Sequence, residues 1–342
     1  MNRMLKPVGE QTIVITGASS GIGLVTARKA AKQGAKLVLA ARNREALDTL
    51  CEEIRAHGGL AVPVVADVGN YEDVQRVAAQ AVETYGGFDT WINNAGVSIF
   101  GTSSAVPLED QRKLFDTNYW GVVHGSLVAV DHFRRKSDFH GGAIINLGSE
   151  ASDAPVPLQS AYVASKHAVK GFTDSLRLEL EADHLPVSVT LIKPAAIDTM
   201  LVMHAKNYMN VEAKLAPPIY DPDIAADAIL FTAAHPRRAL FVGGAAKFAS
   251  ASAYHAPRLF DRVAATLFSR GQRTVRPARP RDDNALYEPG RALQEREGMD
   301  GVVLRGCAYN TVVQRPKVAG AIALTAAALV VTAFARARRA AS

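Results

Sequence analysis

Cysteine is nearly absent from this chain of 342 residues: Cys51 and Cys307 are the only two. Two thiols cannot build a disulfide scaffold, so the fold must rest on a hydrophobic core, and a reducing compartment is the simpler setting. The histidines show no ligand-spaced grouping with cysteines or carboxylates. His124, His132, His140, His167 and His184 read as core or surface residues, and no metal site is expected. Solenoid-type repeats are lacking. Met1 to Gln11 has no apolar stretch of the secretory kind, so no signal peptide is expected there.

Excess charge is also missing from most of the chain. Residues 1–250 carry 24 basic against 26 acidic side chains, and residues 251–342 carry 15 against 7, so the net charge of +6 belongs to the C-terminal part. There Arg270, Arg273, Arg276, Arg279 and Arg281 lie among Pro277 and Pro280, a pattern that opposes a regular helix. Such a segment either meets phosphate groups or folds over the body as a solvated linker. It has no interleaved aromatics to stack on bases, so no nucleic-acid partner is expected.

What is present begins at once. Thr12-Ile13-Val14-Ile15-Thr16 is an apolar β-branched run. It passes through Gly17-Ala18-Ser19-Ser20-Gly21-Ile22-Gly23 into the helical pattern from Leu24 to Ala30. Strand, glycine turn and helix in that order form a phosphate-binding turn: glycine lets the backbone approach a pyrophosphate, and free N–H groups at the helix start meet its charge. The next run, Lys36 to Ala41, ends at Arg42-Asn43-Arg44. An acid at this place binds ribose hydroxyls, whereas arginine accommodates a 2′-phosphate. Arg42 therefore predicts NADP(H) over NAD(H). The plainer alternative is a pair of solvated cations opening a helix.

Tyr162 and Lys166 stand four residues apart, thirteen residues after Ser149. On a helix they share a face, and an ammonium beside a phenol favours phenolate. The pairing predicts a tyrosine acid–base group with a lowered pKa; the alternative is a surface lysine near a half-buried tyrosine. Ser149 reads as a donor to a substrate oxygen or as a turn residue after the apolar run 143–147.

Together these motifs resemble the short-chain dehydrogenase/reductase family over about residues 10 to 245. Thr16 to Gly23 is similar to its cofactor turn, which puts Gly17, Ser19, Ser20, Gly21, Ile22 and Gly23 at the nucleotide. Asp67 and Val68 resemble the pair that borders the adenine. Asn93-Asn94-Ala95-Gly96 resembles the motif that supports the sheet and lines the cleft. The resemblance implies that Asn118 helps to hold a proton-relay water and that Ser149, Tyr162 and Lys166 are catalytic. Lys166 would also hold the nicotinamide ribose. Pro194, Ile197 and Thr199 would face the nicotinamide. Two departures stand out: Ala195 replaces a glycine, and Ser19 and Ser20 replace the basic residue that many NADP-binding members carry.

The expected fold is α/β, a Rossmann-like doubly wound parallel sheet of about seven strands with helices on both faces and a C-terminal tail. Strands are predicted near 12–16, 36–41, 61–65, 88–93, 142–147, 187–193 and 239–242. The expected organisation is a catalytic domain over 1–250, a basic extension over 251–316 and a membrane helix over 317–339. Val318 to Ala335 carry no charge and would span ~27 Å as a helix, near the hydrocarbon thickness of a bilayer. A C-terminal anchor with the catalytic domain in the cytoplasm is expected; burial against the body or a homo-oligomer contact are the alternatives. The resemblance implies that Met200 to Pro218 is a lid over the substrate, and its methionines and tyrosine would suit an apolar one; ordinary packing of a short helix on the body is the alternative. The function expected is hydride transfer between NADP(H) and a small-molecule carbonyl or secondary alcohol. The competing class, a non-catalytic nucleotide-binding scaffold or redox sensor, need not keep Asn118, Ser149, Tyr162 and Lys166 together, as this chain does.

Overall fold

Strands that must be buried on both faces read as unbroken apolar runs, and such runs organise this molecule. A computed structural model describes residues 5–136, 141–299 and 301–315. Its central sheet has seven strands: β1 Thr12–Thr16, β2 Lys36–Ala41, β3 Leu60–Val65, β4 Thr90–Asn93, β5 Gly142–Leu147, β6 Val187–Pro194 and β7 Ala239–Val242. They lie in the order β3-β2-β1-β4-β5-β6-β7, and every pairing is parallel. The seven expected strands are all found, with ends displaced by at most two residues.

Side-chain alternation divides the core. Ile13, Ile15, Leu37 and Leu39 face a cluster with α1 (Gly21–Lys32), α2 (Arg44–Ala56) and α7 (Pro222–Ala234). Val14, Val38, Trp91 and Ile144 face the other, with α3 (Tyr71–Tyr85), α5 (Gly121–Arg135) and α6 (Ser160–Ala182). The chain winds from β1 out to β3, then returns through α3 to β4 beside β1. That reversal opens a crevice at the carboxyl ends of the strands, the usual ligand position in such sheets. Beneath it, Asn93 accepts from the Trp91 indole N–H at 2.7 Å and donates to Asn146 at 2.8 Å, so the buried polar groups of β4 and β5 are satisfied by one another.

Between α4 (Leu108–Phe115) and α5, residues Asp116–Trp120 form a π-helical turn, which places Asn118 in the interior. Helix α8 (Gly244–His255) runs across the expected boundary at residue 250, and α9 (Pro257–Val263) follows. The basic segment is not a free linker. Arg273–Pro277 pairs antiparallel with Val211–Ala213 in the expected lid. Arg276 pairs with Glu212 at 2.6 Å, and Arg281 lies 4.5 Å from the centre of the Tyr208 ring. These contacts favour the folded alternative over a phosphate-binding arm. Among the described residues no helix is long and apolar enough to cross a membrane. The candidate anchor at 317–339 lies outside the described residues.

Candidate active site

Two turns make the nucleotide end. Gly17 has φ +66°, and a Cβ there would stand 2.7 Å from the Ala95 Cα, so only glycine lets the loops after β1 and β4 touch. The Asn94 side chain ties them, donating to the carbonyls of Thr16 at 3.0 Å and Gly17 at 3.1 Å. Gly21, also left-handed at φ +53°, packs against the Thr199 side chain. Glycine turn, Asn94-Ala95-Gly96 loop and the Pro194–Thr199 stretch therefore converge.

They open into one cavity of about 700 Å³. Its lining includes Gly17, Ser19, Ser20, Gly21, Ile22, Arg42, Asp67, Val68, Asn94, Ala95, Gly96, Pro194, Ile197 and Thr199, together with Ser149, Tyr162 and Lys166. Of the expected site residues, Gly23 and Asn118 are the two set back from it. Gly23 is needed for close packing, because a Cβ would stand 2.2 Å from the Gly17 carbonyl oxygen.

Asn118 is tied to the loop that follows β4. Its side chain accepts from the Val97 N–H at 2.8 Å and donates to the Val97 carbonyl at 2.9 Å and to Ser165 at 3.1 Å. An amide so engaged holds the loop after β4 and has no donor left for a water.

The catalytic trio is assembled, but its electrostatics differ from expectation. Ser149 caps a short 3-10 turn, accepting from the Ala151 N–H at 3.1 Å, and its hydroxyl is close enough to the Tyr162 phenol to pull its pKa down. The Lys166 ammonium lies 5.6 Å from the centre of the Tyr162 ring and donates to the Leu147 carbonyl at 2.8 Å. A tyrosine made acidic by Lys166 was the expectation, and it is corrected here. Burial pushes the phenol up to about 12; the Ser149 hydroxyl opposes that, and the nearby Glu150 carboxylate adds to it. Burial also pushes Lys166 down to about 8. Desolvation outweighs the pairing because both groups leave water together.

Asp67 shows the opposite balance. Although burial raises it, the Gly69 N–H and the Lys113 ammonium hold its carboxyl below the ordinary value. Arg42 is lowered by burial, and its guanidinium donates to the carbonyls of Ala285, Leu286 and Tyr287.

Sequence reading missed Glu150. It lines the cavity, its carboxyl group has no hydrogen-bond partner among the described residues, and burial pushes that group up to about 7. A raised carboxyl disfavours the folded state only where it must ionise, so this cost is absent below about pH 4.5 and complete above about pH 7. Glu150→Gln should therefore melt above the wild type at pH 8 and together with it at pH 4. Equal melting at pH 8 would show that the carboxylate is well solvated. The apolar wall from the extension, Phe248, Leu259, Phe260, Val263 and Phe268, was missed as well. The repeat of apolar residues at 256, 260, 264 and 268 was the available signal.

Residues 11–209 match the family described as short chain dehydrogenase. The chain is 45% identical over 319 residues to the uncharacterized oxidoreductase YxnA of Bacillus subtilis, covering 93% of this chain and 89% of that protein. It is 35% identical over 202 residues to 11-beta-hydroxysteroid dehydrogenase-like 3 of Arabidopsis thaliana, covering 58% of this chain and 62% of the relative. Among solved structures, a short chain dehydrogenase/reductase from Burkholderia phymatum in complex with NAD aligns with a TM-score of 0.65 and 26% identity, over 76% of this chain and 96% of that one.

Proposed function

The chain belongs to the short-chain dehydrogenase family, and on that premise we propose that it is an NADP(H)-dependent oxidoreductase acting on an apolar carbonyl compound or secondary alcohol. One observation carries the reading: Ser149, Tyr162 and Lys166 open into the same cavity as the glycine turn. The residues present fit a nicotinamide dinucleotide. Lys166 is buried, meets no carboxylate among the described residues and has one hydrogen bond to a carbonyl, which leaves ammonium donors for a ribose diol. The start of α1 suits a pyrophosphate. No carboxylate closes β2, where Ala41 and Arg42 stand, so the adenosine end lacks the acid that would repel a 2′-phosphate.

In the reduction direction the bound dihydronicotinamide supplies a hydride. Ser149, already accepting from the Ala151 N–H, turns its O–H to the substrate oxygen. Tyr162, neutral in its buried setting, gives its proton to the developing alkoxide. Lys166 orients the nucleotide and supplies positive charge beside the phenol. The substrate's apolar part lies against Phe248, Phe260 and Phe268, and Met200 and Leu215 line the same cavity. The expected lid segment thus contributes to the wall.

The test is a panel of apolar ketones, aldehydes and secondary alcohols, followed by nicotinamide absorbance. NADPH should exceed NADH by about tenfold in kcat/KM, the equivalent of one charge-assisted hydrogen bond of about 1.5 kcal/mol. A preference for NADH would overturn the cofactor assignment, and no turnover across the panel would overturn the substrate class.

A further inference from the structure

The extension crosses the nucleotide site. At one end of residues 285–296, Leu286 is fully buried in the cluster that includes Ala161 and Tyr162. The Tyr287 hydroxyl donates to Asp110 at 2.7 Å, a carboxylate that also takes Tyr208 at 2.5 Å and Lys206 at 2.8 Å. Here too the carbonyls of Ala285 and Tyr287 accept from Arg42 at 2.6 and 3.0 Å. At the other end the segment is bonded to the glycine turn itself. The Leu293 N–H donates to the Ser19 carbonyl at 2.8 Å, and the Gln294 carbonyl accepts from the Gly21 N–H at 2.9 Å. Glu295 pairs with Arg28 at 2.8 Å and Arg296 with Asp221 at 2.8 Å. Between the two ends, Pro289, Gly290 and Arg291 line the cavity.

Leu293 has φ +59°, a conformation that costs a non-glycine residue about 1–2 kcal/mol. It is held there by its N–H bond and by packing against the core cluster of α1 and α7.

We propose that residues 285–296 are a strap that closes over the adenosine half of the bound dinucleotide, with Arg42 as the positioning residue that seats its first end. This rests on the reading of the cleft as a nicotinamide dinucleotide site. The strap takes the first N–H of α1, so a pyrophosphate meets the N–H that follows it along the cavity, at Ile22. It borders the cavity through Ala285, Pro289, Gly290 and Arg291, and nucleotide enters and leaves when the second end lifts from Ser19 and Gly21. Cofactor exchange is thereby made slow, and equally so for NADPH and NADH, because the strap bonds to the protein and not to the 2′-phosphate.

Stopped-flow fluorescence of NADPH and NADH, chased with excess oxidised cofactor, tests this on the full chain. Arg296→Ala removes the ion pair and Leu293→Ala removes the packing; two independent variants guard against one that merely misfolds, and melting curves identify it. Each should raise the dissociation rate about tenfold for both nucleotides and weaken the Kd. Trypsin cleavage after the exposed Arg291 should be slowed by NADPH in the wild type and be faster in the variants. Unchanged dissociation rates with intact nucleotide binding would overturn the strap and leave the cofactor site standing. A tightened Kd would also overturn it, by showing that the segment excludes nucleotide. Failure of the wild type to bind either nucleotide would overturn the cleft reading and the strap with it.

Discussion

Tyr162→Phe is expected to lower kcat for carbonyl reduction by about 10³-fold, the range assigned to a positioned acid–base group. NADPH affinity should stay within about twofold, because the ring, its packing against Ala161 and Leu286, and the Lys166 ammonium beyond it are all retained. Only the phenol oxygen goes. Ser149 keeps the Ala151 N–H. The pH dependence separates the two directions in the wild type. With the phenol pushed up to about 12, neutral tyrosine is the abundant form at any workable pH, so kcat/KM for reduction should not depend on this group. Alcohol oxidation needs the minority phenolate, and its kcat/KM should climb with pH. Turnover retained in the Phe variant, or an oxidation rate that falls with pH, would remove Tyr162 from the proton transfer.

The sheet was readable for a simple reason. Ile13, Val14 and Ile15 face alternating sides, and both sides are buried, so the strand is apolar at every position. The glycine turn and the Asn94 loop were readable because close approach demands particular residues, as the Gly17–Ala95 contact shows. The strap was not, because its bonds to Arg42, Ser19 and Gly21 are made by backbone groups. Any residue can supply a carbonyl, so residues 285–294 carry no signature of what they touch. The strap's hold on the Arg42 Nη1 and Nη2 groups was hidden on the same account; the Nε–H, without a partner among the described residues, is the donor left for a phosphate. The sign of the Tyr162 shift failed differently. A lysine four residues away is visible in sequence, whereas the burial of both groups and the Glu150 carboxylate beside them come only with the fold.

Lys166→Met should make the protein more stable while removing its activity. Burial pushes this lysine from 10.5 to about 8, so keeping it charged costs the folded state about 3 kcal/mol. Methionine fills similar volume without charge, at the loss of the hydrogen bond to the Leu147 carbonyl, worth about 1 kcal/mol. A net gain of about 2 kcal/mol follows, a rise of several degrees in the melting temperature of the cofactor-free protein. The sign depends on pH in a defined way. A lysine with a lowered folded pKa penalises folding fully below about pH 8, and the penalty fades as pH rises toward 10.5, where the unfolded chain also loses the proton. The variant's advantage should therefore be complete at pH 7 and vanish near pH 10.5. Turnover should fall along with NADPH affinity, which distinguishes this variant from Tyr162→Phe. A variant less stable than the wild type at pH 7 would mean that the ammonium is already well satisfied in the empty cleft. A buried cation with so few protein partners is stabilised only when a ligand supplies acceptors, and on the proposed reading those acceptors are the ribose hydroxyls of the dinucleotide.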